Sequence, residues 1–227
     1  MMIVHATNEW TWDYDGPLLR QAIGETLQMV LAALVIGGII GLVYGLALYS
    51  TRRGGLYQSR WAYGVLSFVV NLIRPIPFII FLTAVRPATL AITGTTLGVQ
   101  AAIFPMTVVT IVATARLVEQ NLVSADPGVI EAARAMGASK VNALVRVLVP
   151  EALAPLILGY AFLFVGILDM SAVAGAVGAG GLGNFAIQYG YNRYNDVVTW
   201  VAVAVIIVLV QLAQMLGNTL ARRVLHR

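Results

Sequence analysis

Long stretches without a single charge constrain this chain more than any other feature. Residues 27–49, 87–115, 152–168, 170–192 and 197–221 carry no Asp, Glu, Lys or Arg, and residues 61–85 carry only Arg74. A helix needs roughly 20 apolar residues, rising about 1.5 Å each, to cross the hydrocarbon of a bilayer. Inside hydrocarbon the backbone must satisfy its own hydrogen bonds, so such runs are helices. The expected fold is therefore all-α: a polytopic membrane protein with five spans, at about 20–49, 61–85, 97–118, 151–169 and 196–218.

Composition supports this. The chain is 59% hydrophobic and 11% charged, whereas a soluble domain carries about 25% charged residues. The net charge of +4 raises a nucleic-acid reading. The basic residues, however, sit at the ends of apolar runs and form no single stripe. They fit the positive-inside rule. With the N-terminus outside, the cytoplasmic side collects Arg52, Arg53, Arg60, Arg116, Arg134, Lys140, Arg146, Arg222, Arg223 and Arg227. The outside holds Arg20, Arg86 and Arg193, and Arg74 lies within a span. Glu9, Asp13 and Asp15 fall outside with Trp10, Trp12 and Tyr14 as interface anchors. This divides the chain into an external tail over residues 1–19, a membrane domain over 20–221 with a loop at 122–150, and a basic cytoplasmic tail over 222–227.

Several chemistries find no support. No cleavable signal peptide is expected, because the first apolar run begins late, near Leu27. Cysteine is absent, and the two histidines, His5 and His226, sit at opposite ends of the chain, so no metal site is expected. Gly178, Gly180 and Gly183 match GxGxxG, but a dinucleotide fingerprint needs a strand before it and a βαβ context. No GxxxxGK[ST] occurs, so this chain does not bind ATP through a P-loop, and no paired carboxylates or nucleophile motif converge.

Within the spans, four features invite a role. Gly37, Gly41 and Gly45 form overlapping GxxxG patterns, which let helices approach closely, within one subunit or between two. Arg74-Pro75-Ile76-Pro77 must kink or break the second span. Arg74 either satisfies the carbonyls that break frees or takes part in gating and substrate contact. Asp169 interrupts small and apolar residues. It is either solvated at headgroup level, or attracts an ammonium group or pairs with Arg74. Residues 171–183 are nearly all small and too glycine-rich for a rigid helix. They suit a broken or re-entrant segment lining a cavity.

Between the third and fourth spans lies an amphipathic island. Asp126 can cap a helix with Pro127 at its first position. Gly137 can end that helix in a left-handed conformation. Ser139 can cap a second, in which Val141, Leu144, Val145 and Leu148 share one face. On physics alone this could be a hairpin lying on the membrane surface.

The pattern Glu131-Ala132-Ala133, then Gly137, then Val147-x-Val149-Pro150 resembles the EAA signature of permease subunits from binding-protein-dependent ABC importers. Arg74-Pro75-Ile76-Pro77-Phe78, the run Gly175–Gly183 and Gln188-Tyr189-Gly190-Tyr191 are similar to the methionine-importer branch, as is the five-span size. The resemblance implies a type I ABC importer permease fold. It implies a homodimer in the bacterial inner membrane, two ATP-binding subunits docked on the cytoplasmic side, and an external substrate-binding lipoprotein. No cofactor is implied, and ATP hydrolysis belongs to the partner chain. Carried onto this sequence, Glu131, Ala132, Ala133, Arg134, Gly137 and Lys140 form the ATPase-coupling element. The expected substrate pathway is Asp169, Met170, Ser171, Val173 and Arg74. Asp169 and Met170 depart from the branch's small neutral and aromatic residues, leaving room for another small amino acid. An ion-gradient-driven transporter and an intramembrane enzyme are the rival readings. The first lacks a visible repeat, and the second would have only Arg74 and Asp169 to work with.

Overall fold

A computed structural model describes residues 10–225. His5, Glu9, His226 and Arg227 lie outside the described residues. Among the described residues four helices are long and apolar enough to cross a membrane, and a bent pair makes a fifth crossing if counted as one span. Helix α1 (Trp12–Thr51) is followed by the bent pair α2 (Arg60–Ile73) and α3 (Phe78–Ala84), then by the short α4 (Arg86–Thr93). Next come α5 (Val99–Ser124) and α6 (Pro127–Ala135). Helices α7 (Lys140–Asn142) and α8 (Val149–Glu151) flank a π-helical turn, Ala143–Leu148. Helix α9 (Leu153–Ala174) leads into a second π turn, Gly175–Ala179. The chain then forms α10 (Gly181–Asn184), two further helical turns and α11 (Asp196–Leu225).

Two boundaries differ from the sequence reading. Helix α1 begins at Trp12, not near residue 20, because Asp15 caps its start: the Thr11 N–H donates to Asp15 Oδ2 at 2.8 Å. Helix α9 runs past Asp169 to Ala174, so the first small residues after Asp169 stay helical. The break starts only where glycine removes the last side-chain support. Val177 and Gly178 leave helical geometry, and Gly178, Gly180 and Gly181 all take positive φ. The expected break at the prolines is present. α2 stops at Ile73, α3 starts at Phe78, and the two are bent by 103°.

The chain packs as two compact units. One comprises residues up to Ile36, Ile76–Val108 and Phe164–Leu212. One of its cores is built on Met29, Val30, Met106, Ile167 and Leu168, and another on Leu182, Phe185 and Val198. The other unit comprises Gly37–Pro75, Val109–Leu163 and Ala213–Arg227. Its cores hold Tyr49, Val118, Leu122, Leu144 and Leu148, and Leu48, Val70, Val112 and Ala115. In this unit the α1 glycines pack within the subunit. A Cβ at Gly41 would meet Thr114 Cβ at 2.5 Å, and one at Gly45 would meet the Ala115 carbonyl at 2.6 Å. These close approaches hold α1 against α5, as small-residue packing allows.

Candidate functional site: the 122–150 loop and the polar groups within the spans

The loop is built as its residues dictate. Asp126 Oδ1 accepts the Gly128 N–H at 2.8 Å, and Pro127 occupies the first turn of α6. Gly137 has φ +86, and the Ala138 N–H returns to the Ala133 carbonyl at 3.0 Å, closing the helix end. Ser139 Oγ then accepts the Asn142 N–H at 3.3 Å and starts α7. α6 packs against the 143–148 turn, with Ile130 resting on the core that holds Leu144 and Leu148.

This packing sorts the coupling residues expected from sequence. Glu131, Ala132, Arg134 and Gly137 are exposed. Ala133 is only 3% exposed and faces its own unit. It therefore serves the fit of α6 to its own chain, not an outer contact. Lys140 lies with its ammonium 5.0 Å from the centre of the Tyr57 ring, so it too is engaged within the subunit. By helical spacing Val129, Ala133 and Met136 should lie near one face of α6, with Glu131 and Arg134 on another. Met136 instead caps α6 and is 83% exposed, the most prominent apolar side chain of the loop. The missed signal is its position at the helix end, where the 3.6-residue period no longer sets direction.

Among the expected pathway residues, Asp169 is exposed on α9 and makes no ion pair among the described residues. Gly166 and Val173, at i−3 and i+4, share its face. Ser171 is buried, its hydroxyl donating to the Leu168 carbonyl at 2.7 Å. Met170 packs against the Met29–Ile167 core. Those two side chains are thus turned toward their own unit, away from the exposed face that carries Asp169. Helical periodicity is the reason, since neighbouring residues diverge by about 100°.

Arg74 is exposed at the C-terminal end of α2, and its side chain makes no hydrogen bond to the carbonyls freed by the prolines. It lines a groove of about 280 Å³ with Arg116, Gln120 and Phe162. Arg116 is paired with Glu119 and donates from Nη2 to Asn71 Oδ1 at 2.7 Å. Tyr63 donates its hydroxyl to Glu119 Oε1 at 3.0 Å. Glu119 is buried, so this network joins α2 to α5 just before the proline break. The sequence signal for it was opposite charge at i, i+3 at the end of the third span.

In the other unit a cavity of about 260 Å³ lies beside the glycine break, lined in part by Thr83, Arg86, Thr89, Pro105, Ala174 and Ala179. Arg86 is the charged side chain in that lining. The break itself is held by α1. Glu25 Oε2 accepts the Gly181 N–H at 2.6 Å, Thr26 Oγ1 accepts the Leu182 N–H at 2.8 Å, and Gln21 donates to Glu25 Oε1 at 2.8 Å. Glycine is favoured at 180 and 181, which hold φ +87 and +75, and a Cβ at 181 would meet Thr26 Oγ1 at 2.6 Å. The sequence reading passed over Glu25, although an acid two residues before an uncharged run had to find donors.

An all-helical membrane domain with a capped loop helix between spans defines the class. The chain belongs to the family of binding-protein-dependent transport system inner membrane components, whose model matches residues 37–226. It is a multi-pass membrane protein and not itself an enzyme. It is 40% identical over 213 residues to the probable D-methionine transport system permease protein MetI of Vibrio cholerae, covering 94% of this chain and 95% of that one. It is 39% identical to the methionine import system permease protein MetP of Bacillus subtilis, covering 75% of this chain and 77% of that one. A solved structure, of inward-facing conformations of the MetNI methionine ABC transporter in a native crystal form, superposes with a TM-score of 0.90 at 41% identity. That match covers 92% of this chain and 97% of the other. An amino acid ABC transporter solved with histidines, at 23% identity and a TM-score of 0.75, shares the fold.

One prediction concerns the glycine break. The chain has no native cysteine, so a cysteine at the buried Ala179 reports its opening. Glu25→Ala leaves the Gly181 N–H unpartnered at a cost of about 1–3 kcal/mol. Maleimide labelling at position 179 is expected to rise roughly fivefold or more. Glu25→Gln, which keeps an acceptor oxygen, should stay near the parent rate. Equal labelling in all three would show that Glu25 does not hold the segment.

Proposed function

We propose that this chain is the permease subunit of an ATP-driven methionine importer, working as a homodimer. Two ATP-binding subunits and an external substrate-binding lipoprotein complete the assembly. The observation that carries this is the rigid, doubly capped α6, with Glu131, Ala132, Arg134 and Met136 exposed, in a chain similar over nearly its whole length to methionine permeases. The N-terminus lies outside and the C-terminus in the cytoplasm, which puts the 122–150 loop on the side of the ATP-binding subunits. α6 is the coupling helix, and closure of the ATPase dimer drives it and the attached spans between two states.

Asp169 and Val173 line the path. An unpaired acid on the exposed face of a spanning helix is too costly against lipid. It belongs against water, substrate or the second copy, where it can receive an ammonium group. The test is uptake into proteoliposomes holding the chain, its ATP-binding subunit and its binding protein. Vanadate-sensitive accumulation of methionine is expected, with Asp169→Asn lowering it about tenfold. Uptake driven by an ion gradient without ATP would overturn the proposal, and unchanged uptake by Asp169→Asn would remove that residue from the path.

A further inference from the structure

The turn that joins α1 to α2 and the first turn of α2 enclose a pocket of about 300 Å³ lined by Thr51, Arg53, Gln58, Arg60 and Tyr63. We infer that it holds the phosphate of an anionic phospholipid whose acyl chains lie along the exposed face of α2. This site is independent of the transport reading.

The charge of the pocket is uncompensated. No acidic side chain lines it, and neither Arg53 nor Arg60 has an ion-pair partner among the described residues. The other polar groups are arranged to leave donors for a ligand. Thr51 donates to the Ala47 carbonyl at 2.8 Å and Tyr63 to Glu119 at 3.0 Å, so both hydroxyls are held in place. Gln58 uses Oε1 to accept the Gly54 N–H at 3.2 Å, which leaves its NH2 group to donate outward. α2 starts at this point with Ser59 as its cap and no acidic residue in its first turn, so its positive end adds to the field. Two guanidinium groups and an amide around a small concavity fit a phosphate better than a lone carboxylate, because a phosphate offers acceptors in several directions.

The face of α2 below the pocket separates a lipid from a free anion. Trp61, Val65, Phe68 and Leu72 are all exposed and fall at i, i+4, i+7 and i+11, one continuous stripe. At about 1.5 Å per residue the stripe runs roughly 17 Å. That is close to one leaflet of a hydrocarbon core about 30 Å thick. Trp61 stands at its upper end, where an indole belongs at the membrane–water interface. A basic pocket, an interfacial tryptophan and a leaflet-length apolar stripe in that order match the headgroup, glycerol and chains of one phospholipid. Basic pockets between spanning helices are recognised headgroup sites.

The test uses the full chain in phosphatidylcholine nanodiscs with graded dioleoylphosphatidylglycerol, and reads retained lipid by native mass spectrometry after mild extraction. Phosphatidylglycerol is expected to be retained in preference to phosphatidylcholine, and Arg53→Gln/Arg60→Gln to lower that retention about tenfold. Phe68→Asn should weaken it without touching the charges. Unchanged retention in the double variant overturns the proposal. So does displacement of the lipid by millimolar inorganic phosphate, which would make the pocket a free-anion site. Efficient disulfide dimerisation of Trp61→Cys would do the same, because it would show a second copy on the stripe.

Discussion

Valine in place of Gly137 is expected to lower ATP-driven uptake sharply while ATP hydrolysis by the partner subunits continues. Gly137 holds φ +86, and no atom lies within 4 Å of where its Cβ would stand. The substitution therefore meets no steric neighbour, and its cost is confined to the backbone. An L-residue in the left-handed region costs about 1–2 kcal/mol, and a β-branched one more. The chain escapes by reopening the turn after α6, which changes the direction of the helix relative to the 143–148 turn. A coupling helix that has lost its bend no longer transmits the stroke, so a fall in uptake of at least about tenfold is expected. Alanine at 137 should give a partial loss. Ala133→Asp is a different experiment, because Ala133 is buried against its own unit. It buries a charge without a partner and should lower the yield of folded protein, not merely uncouple it. Uptake and vanadate-sensitive hydrolysis, measured on the same proteoliposomes, separate the two. Normal uptake by a folded Gly137→Val protein would remove α6 from coupling.

Removing Glu119 is expected to cause a large loss of stability. Its carboxylate pairs with Arg116 and accepts the Tyr63 hydroxyl, with Glu119 itself buried. Glu119→Leu leaves the partly buried Arg116 charge without its partner, which costs up to about 3–5 kcal/mol. For a chain of this length that is a fall in Tm on the order of 10 °C. The Arg116→Leu/Glu119→Leu pair should recover more than half of it, because removing both charges removes the desolvation penalty along with the attraction. Thermal unfolding in one detergent, followed by near-ultraviolet circular dichroism, reads all three proteins. A single variant as stable as the parent would mean that Asn71 alone satisfies Arg116.

Much of the architecture could be read in residue order, because the penalties that shape a membrane protein act locally. A charge or an unpaired peptide group costs the same wherever its run of apolar neighbours lies, so the charge-free stretches located the spans. Pro75 and Pro77 located the break in α2–α3. Asp126, Pro127, Gly137 and Ser139 marked the ends of the loop helices, because capping involves only neighbours within a turn. The signature from Glu131 to Pro150 pointed to the family on the same local footing.

What the linear order could not carry was the direction in which a side chain points once two elements meet. Ala133 and Met136 share a face by helical spacing, yet Ala133 is buried and Met136 exposed, because the π turn at 143–148 decides which part of α6 is covered. Ser171 turned into its unit while Asp169, two positions earlier, turned out. Glu25 found Gly181, and Tyr63 found Glu119, across 156 and 56 residues of chain. Burial and pairing of that kind depend on atoms brought close by packing. Residue types along one segment settle what a helix can be, and only its neighbours in space settle which of its faces remains free to act.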